Sequence, residues 1–202
     1  MQKYSIFSLI KNAFNNHQNW DAAWRDPEPK KEYDVIIIGG GGHGLATAYY
    51  LAKEHNINNI AILEKGWIGG GNVGRNTTIL RSNYMWDANG LFYEYGMKLW
   101  ENLSQELNYN VMYSPRGIIN LAHSDAQMNT YYRRGNSMRL NGIDAVMLNR
   151  NELKKKIPFA DFSETARFPI FGGLMQPRGG TARHDAVAWG YARQADSMGV
   201  DI

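Results

Sequence analysis

Three groups of residues have the types and spacing to do chemistry. Gly39, Gly41 and Gly44 spell G-x-G-x-x-G, with Gly42 and His43 inside the motif, and Glu64 stands twenty residues beyond Gly44. Such a string is common in turns. Here it follows the apolar run 33–38, opens a segment that reads as helix over 45–55, and precedes a second apolar run, 60–63, that ends on Glu64. This is the setting of a dinucleotide-binding βαβ unit. Gly39 permits the tight turn, Gly41 admits a pyrophosphate to the backbone, and Gly44 lets helix and strand pack closely. The helix N-terminus faces the anion. The Glu64 carboxylate can accept hydrogen bonds from a ribose and would repel a 2′-phosphate.

The second group is the loop after that carboxylate: Lys65, then Gly69-Gly70-Gly71-Asn72-Val73-Gly74-Arg75-Asn76-Thr77-Thr78, ahead of Leu80. NAD and FAD share the adenosine half that the βαβ unit reads. The loop offers backbone N–H groups, amides, hydroxyls and one arginine beyond the first phosphate. That polar cradle suits the extended ribityl diphosphate of FAD; the bland alternative is a surface loop. Arg81 follows, and it either pairs a substrate carboxylate bidentately or makes an ordinary salt bridge.

The third group is Gly179-Gly180-Thr181-Ala182-Arg183-His184-Asp185-Ala186-Val187-Ala188-Trp189. The two glycines mark a loop, and Val187, Tyr191, Ala195 and Met198 recur at helical spacing. His184 therefore enters a helix at its positive end, which disfavours imidazolium and leaves a ring nitrogen lone pair free. Such an imidazole can serve as base, ligand or nucleophile; it can also be an inert polar residue of a first turn.

The elements that must position these groups alternate strand and helix at first. After the βαβ unit, 91–107 reads as helix, with Phe92, Tyr95, Leu99 and Leu103 able to share a buried face. Strand over 117–122, helix over 126–140 and strand over 145–148 follow. Asn149 and Glu152 are spaced as a capping box, with Leu148 and Leu153 as its staple. A last strand covers 170–175. The class is α/β with a mixed α+β insertion. We divide the chain into an N-terminal arm (1–31), a nucleotide unit with its cradle (32–110), the start of a substrate or interface domain (111–178) and a return to the nucleotide unit (179–202). The apolar run 35–38 predicts a central parallel strand covered on both faces. Val200-Asp201-Ile202 after Gly199 reads as entry into a further strand, as in the first part of a longer polypeptide. Trp20 and Trp24 in the arm either pack on the domain or meet a partner subunit.

Composition bounds the chemistry. With no cysteine there is no disulfide, thiolate metal site or thiol nucleophile, and no metal site is expected. The net charge of +3 is spread along the chain, and its one dense run, Lys154-Lys155-Lys156, reads as a solvated helix face rather than a nucleic-acid patch. No stretch has the roughly 20 apolar residues of a membrane span, and no signal peptide is recognisable, so a soluble cytoplasmic protein is expected. His17, His55 and His123 read as surface residues; His43 reads as a backbone contact to the cofactor.

The run from Glu32 through the glycines to Ala52 resembles the D-amino-acid oxidase-like family of flavoenzymes. Within it, Tyr4-Ser5-Ile6-Phe7-Ser8, Glu64-Lys65-Gly66-Trp67-Ile68-Gly69-Gly70-Gly71-Asn72, Gly74-Arg75-Asn76-Thr77-Thr78 and residues 179–189 resemble the beta subunits of heterotetrameric sarcosine oxidases. The resemblance implies a Rossmann-like FAD domain of the glutathione-reductase type with part of a substrate domain. It implies noncovalent FAD and an FMN bonded covalently to the residue matching His184. It also implies alpha, gamma and delta partner subunits, with tetrahydrofolate and NAD on a partner. The implied reaction is oxidative demethylation of sarcosine to glycine, with electrons passing from FAD to FMN and then to oxygen as hydrogen peroxide, and the one-carbon unit passing to tetrahydrofolate or formaldehyde. Alternatives are a dimethylglycine- or proline-oxidising enzyme of the same fold, a non-catalytic flavin-binding electron-transfer subunit, or a plain NAD dehydrogenase.

Overall fold

The computed structural model describes residues 6–16, 18 and 25–202, so the arm residues His17, Trp20 and Trp24 and the Tyr4-Ser5 start lie outside the described residues. The chain forms two compact units, Met1–Asn76 with His184–Ile202, and Thr77–Arg183. The expected boundaries at 31, 110 and 178 follow the motifs, whereas packing divides the chain after Asn76 and after Arg183.

In the first unit, β1 (Val35–Ile38) pairs in parallel with β2 (Ile60–Leu63), in the register Val35 to Ile60 through Ile38 to Leu63. A parallel pair needs a crossover. Here it is α2 (Gly42–His55), which buries Leu45, Ala48, Tyr49 and Ala52 and ends on Asn56 in the left-handed region (φ 55°). A second helix, α6 (His184–Ser197), packs on α2, with the Tyr49 and Tyr191 rings 5.5 Å apart. Beyond it Gly199 turns the chain at φ 98°, and Asp201 bridges Ala61 in parallel, so the strand entry read from the sequence is formed. The expected cover on both faces of β1 is not. Ile36 is 57% and Ile38 87% exposed, because the described residues pack on one face of the pair only. The amphipathic start forms a short helix, α1 (Ile6–Phe14), whose Phe7 and Phe14 are exposed.

A polar clamp fastens the arm to the bridge at Asp201. Asp201, almost fully buried, accepts from Tyr33 Oη at 3.1 Å and pairs with Lys30 Nζ at 3.0 Å and Arg25 Nη2 at 3.3 Å. The Arg25 contact is an ion pair without hydrogen-bond geometry, since Oδ1 of Asp201 has no hydrogen-bond partner. Arg25 also donates from Nε to Asp196 Oδ1 at 2.9 Å and from Nη2 to Val200 O at 2.6 Å.

The second unit holds β3 (Ile79–Leu80), paired antiparallel with β7 (Gly180–Thr181), and a three-stranded antiparallel sheet in the order β4 (Ile118–Ala122), β6 (Gly172–Gln176), β5 (Val146–Asn149). Helix α4 (Asp125–Leu140) covers that sheet around Met138, Ile143 and Leu174; α5 (Arg150–Lys156) closes a second cluster of Leu148, Leu153 and Ile170. The capping box forms as read. Asn149 Oδ1 accepts from Glu152 N–H at 3.0 Å, and Glu152 Oε2 accepts from Asn149 N–H at 2.8 Å. Lys154, Lys155 and Lys156 are exposed.

Two local readings change. Gly179 and Gly180 are more than loop markers. A methyl at Gly180, in β7, would lie 2.2 Å from Ser114 O, and one at Gly179 would lie 2.6 Å from Ile118 Cγ1. Helix α3 (Asp87–Glu106) starts earlier than expected and buries Gly90, Glu94, Met97 and Leu103, while Phe92 (72%) and Tyr95 (66%) are exposed. A buried carboxylate sets this rotation. Glu94 accepts from Ser82 Oγ at 2.8 Å and pairs with Arg178, which also reaches Glu101 at 2.7 Å. Gln176 ties the same network to Ser82 (2.7 Å) and Asp144 (3.3 Å). A buried carboxylate must face its partners, so this one outranks the aromatic stripe.

Candidate cofactor and substrate sites

The glycine loop obeys the steric reasons for its glycines at two positions. Gly39 adopts φ 107°, and its N–H donates to Leu63 O at 2.8 Å, which turns the chain off β1 at the tip of β2. A methyl at Gly44 would lie 2.1 Å from Gly39 O and 3.2 Å from Ile37 Cγ2, so α2 can cross the strand this closely only without a Cβ. Gly41 has space: a methyl there would meet Val73 Cγ2 at 4.0 Å and nothing nearer. Gly41 is the N-cap of α2 and, being glycine, offers no side-chain cap to the first-turn N–H groups. Open space beside an uncapped helix N-terminus is a seat for a phosphate. The His43 side chain is exposed.

Glu64 is tied to the same loop. Its Oε2 accepts from Gly40 N–H at 2.8 Å and its Oε1 from Gly66 N–H at 2.9 Å. The Gly66 and Gly40 donors hold the carboxyl below its ordinary pKa of 4.5. A carboxylate offers about four lone-pair sites, so each oxygen can still accept from a ribose hydroxyl. Gly40 was absent from the sequence-derived site, because a backbone donor leaves no mark in residue type.

The cradle is ordered rather than loose. Gly69 N–H donates to Gly40 O at 2.9 Å and Gly74 N–H to Gly69 O at 3.0 Å, so the cradle lies against the glycine loop. Residues Asn72–Arg75 wind into a 3₁₀ turn that packs on α6. Gly69, at φ 75°, makes the close approach, since a methyl there would lie 3.3 Å from Ala188 Cβ. Asn72, Arg75 and Asn76 are exposed, as is Lys65; Asn76 Nδ2 donates to Val73 O at 2.7 Å. Thr77, Leu80 and Arg81 belong to the second unit.

His184 is the first residue of α6, and its half-buried ring has an Nδ1 with no hydrogen-bond partner among the described residues. His55 is exposed as expected. His123 is not a free surface residue: it is half-buried, with Nδ1 3.2 Å from the carbonyl oxygens of both Phe168 and Pro169.

In the second unit, half-buried Arg81 lines a cleft of about 350 Å³ with Tyr84, Tyr93, Met97 and Trp100. Its guanidinium lies over the Tyr84 ring at 4.8 Å, and Tyr84 stacks on Tyr93 at 4.4 Å. Arg81 Nη1 donates to Asn83 Oδ1 at 2.6 Å, and Asn83 Nδ2 donates to Asn120 Oδ1 at 2.7 Å. This relay holds the guanidinium without neutralising it. Asn83 and Asn120 escaped the sequence reading, because nothing in their types or spacing marks them.

Residues 34–202 match the family model described as FAD dependent oxidoreductase. The chain belongs to the FAD dependent oxidoreductase family. The family match supports FAD as the cofactor. Among relatives, the chain is 64% identical over 200 residues to a sarcosine oxidase subunit beta of Rhizobium meliloti, covering 99% of this chain and 48% of that protein. It is 53% identical over 202 residues to the namesake of Rhodobacter capsulatus, covering 100% and 49%. The chain thus spans about half the length of the curated relatives it matches. The solved L-proline dehydrogenase of P. horikoshii shares the fold, with a TM-score of 0.77 at 24% identity over 86% of this chain and 44% of that one. No helix among the described residues is long and apolar enough to cross a membrane.

Proposed function

We propose that this chain is the FAD-binding part of the beta subunit of an enzyme that oxidatively demethylates sarcosine to glycine. The identity to the two beta subunits along the whole chain carries the reading, and the glycine loop with its tethered carboxylate supports it. The uncapped first turn of α2 seats the pyrophosphate, and Glu64 orients the adenosine ribose. Asn72, Arg75, Asn76, Thr77 and Leu80 contribute to the remainder of the cofactor cradle. Arg81, held by Asn83 and flattened on Tyr84, binds the substrate carboxylate.

His184 is the attachment point for a covalent FMN. A ring nitrogen buried without a partner fits that role, since a group meant to bond a ligand is left free by its own chain. When bound, the two flavins supply the acceptor for methyl C–H oxidation and its relay to oxygen, giving hydrogen peroxide, the one-carbon unit leaving to tetrahydrofolate or as formaldehyde. Alpha, gamma and delta subunits complete the assembly, and the subunit names of the relatives support a multi-subunit complex.

The test is anaerobic mixing of the full-length protein, co-expressed with its partner subunits, with sarcosine, dimethylglycine and proline. Rapid loss of the yellow oxidised-flavin absorbance with sarcosine, and slower loss with the other two, is the expected result. An oxidised spectrum indifferent to sarcosine would remove the proposal.

A further inference from the structure

Arg134 has no part in the proposed function. It shares one face of α4 with Ser137 and Asn141, three and seven residues on. That face meets the segment just after Arg81 and Tyr84. Ser137 Oγ donates to Met85 O at 2.5 Å, and Asn141 Nδ2 donates to Asp87 Oδ1 at 2.8 Å. One turn toward the helix N-terminus, the same face carries Arg134 toward Tyr84, and the charges of Arg134, Arg81 and Tyr84 act on one another.

Its surroundings are unusual for a guanidinium. Arg134 is half-buried, and its Nε is fully buried with no hydrogen-bond partner among the described residues. Burial and the Arg81 charge both push its pKa down; Tyr131 and Tyr84 act in the opposite sense, and no carboxylate contributes. Arg81 likewise has no acidic partner among the described residues, its one polar contact being the neutral Asn83 amide. Asp87, the nearest acid in sequence, is engaged by Asn141. Arg81 and Arg134 thus carry like charges near enough to act on each other, and neither has an acidic partner among the described residues. Desolvating a charge is costly unless it is paired, and removing a partner from such a pair costs more than a surface pair would. The arrangement is balanced when a small anion enters.

We infer that Arg81 and Arg134 form a two-guanidinium site for a small carboxylate, in which Arg134 sets the preference for charged over neutral ligands. The inference rests on the proposal that Arg81 meets the substrate carboxylate, and it adds the second cation.

The test uses the full-length flavin-loaded complex and a matched pair of probes, read by calorimetry. Methoxyacetate copies N-methylglycine with an ether oxygen in place of the amine; methoxyacetamide is its neutral analogue. Arg134→Gln should weaken methoxyacetate by about tenfold or more, from loss of one hydrogen bond between charged groups, and leave methoxyacetamide unchanged. Arg134→Lys should restore most of the loss. Equal weakening of both probes would show a structural role and overturn the inference. So would unchanged methoxyacetate binding by Arg134→Gln where Arg81→Gln loses it. If Arg81→Gln also binds methoxyacetate normally, the underlying carboxylate reading falls instead. Should Arg134→Gln fail to retain flavin, phenylglyoxal labelling of the unmodified protein decides the matter. Peptide mass spectrometry should show Arg134 protected by methoxyacetate and not by methoxyacetamide; identical labelling with either overturns the inference.

Discussion

The Glu64 carboxylate and the Gly40 N–H are joined by a 2.8 Å hydrogen bond that ties the end of β2 to the first turn of the glycine loop. The side chain proposed to meet the ribose is therefore also the one that holds the glycine loop. Glu64→Ala should weaken FAD binding by about tenfold or more, since hydrogen bonds to a charged acceptor are lost on both sides. Fluorescence titration of the apoprotein with FAD reads this directly. The pH dependence has a definite sign. The folded carboxyl lies below 4.5, so its contribution is complete above that value and disappears as pH falls through the folded pKa. FAD affinity should stay flat on acidification down to 4.5, and an earlier fall would contradict the assignment to Glu64.

Gly44 and Gly41 separate fold from ligand. A methyl at Gly44 meets Gly39 O at 2.1 Å, whereas one at Gly41 meets only Val73 Cγ2 at 4.0 Å. Gly44→Ala should cost about 1–3 kcal/mol of stability in the apoprotein, as overpacked sites do. Gly41→Ala should melt like the unmodified apoprotein and still lose FAD affinity, because its methyl would enter the space proposed for the pyrophosphate. Urea denaturation paired with FAD titration checks both, and equal melting of the two variants would sink the distinction.

His184 makes a prediction that survives denaturation. The full-length protein, acid-precipitated, should keep a yellow flavin on the peptide containing His184. In His184→Ala that colour should pass entirely to the supernatant, while extractable FAD stays the same. A bound chromophore persisting in the variant would move the attachment elsewhere.

Asp201 supplies a stability prediction independent of flavin. Burial raises its pKa, but hydrogen bonds from Lys30 and Tyr33 and the charges of Lys30 and Arg25 outweigh that, leaving it below 3.8. The clamp is therefore complete above 3.8 and is lost as pH falls through the folded value. Asp201→Ala should cost about 2 kcal/mol, less than a fully buried pair because Lys30 and Arg25 are partly solvated. Tyr33→Phe should cost about 1 kcal/mol. Thermal melts at neutral pH and below 3.8 should show the Asp201→Ala difference shrinking in acid; a difference that grew would reverse the sign.

The residues of the nucleotide unit were legible because their causes are local. Strand, glycine turn, helix and terminal carboxylate follow one another within a short stretch of chain, and each is marked by a residue type that the backbone geometry demands. The capping box at Asn149 was legible for the same reason. What depended on distant partners was not. The buried face of α3 was misread because a hydrophobic stripe competes with Glu94, whose partner Arg178 arrives 84 residues later. The cover over Ile36 and Ile38 was not legible, because an apolar run reports that a strand is to be buried, not which segment buries it. Arg134 carried no signal at all, since it is one arginine among several on a polar helix. Its meaning comes from the turn of α4 that sets it beside Tyr84 and from the absence of an acid there among the described residues. Periodicity and motif spacing encode what a segment does with its neighbours in sequence. Which charges meet, and which are left without a counter-ion, is decided only when the chain closes on itself.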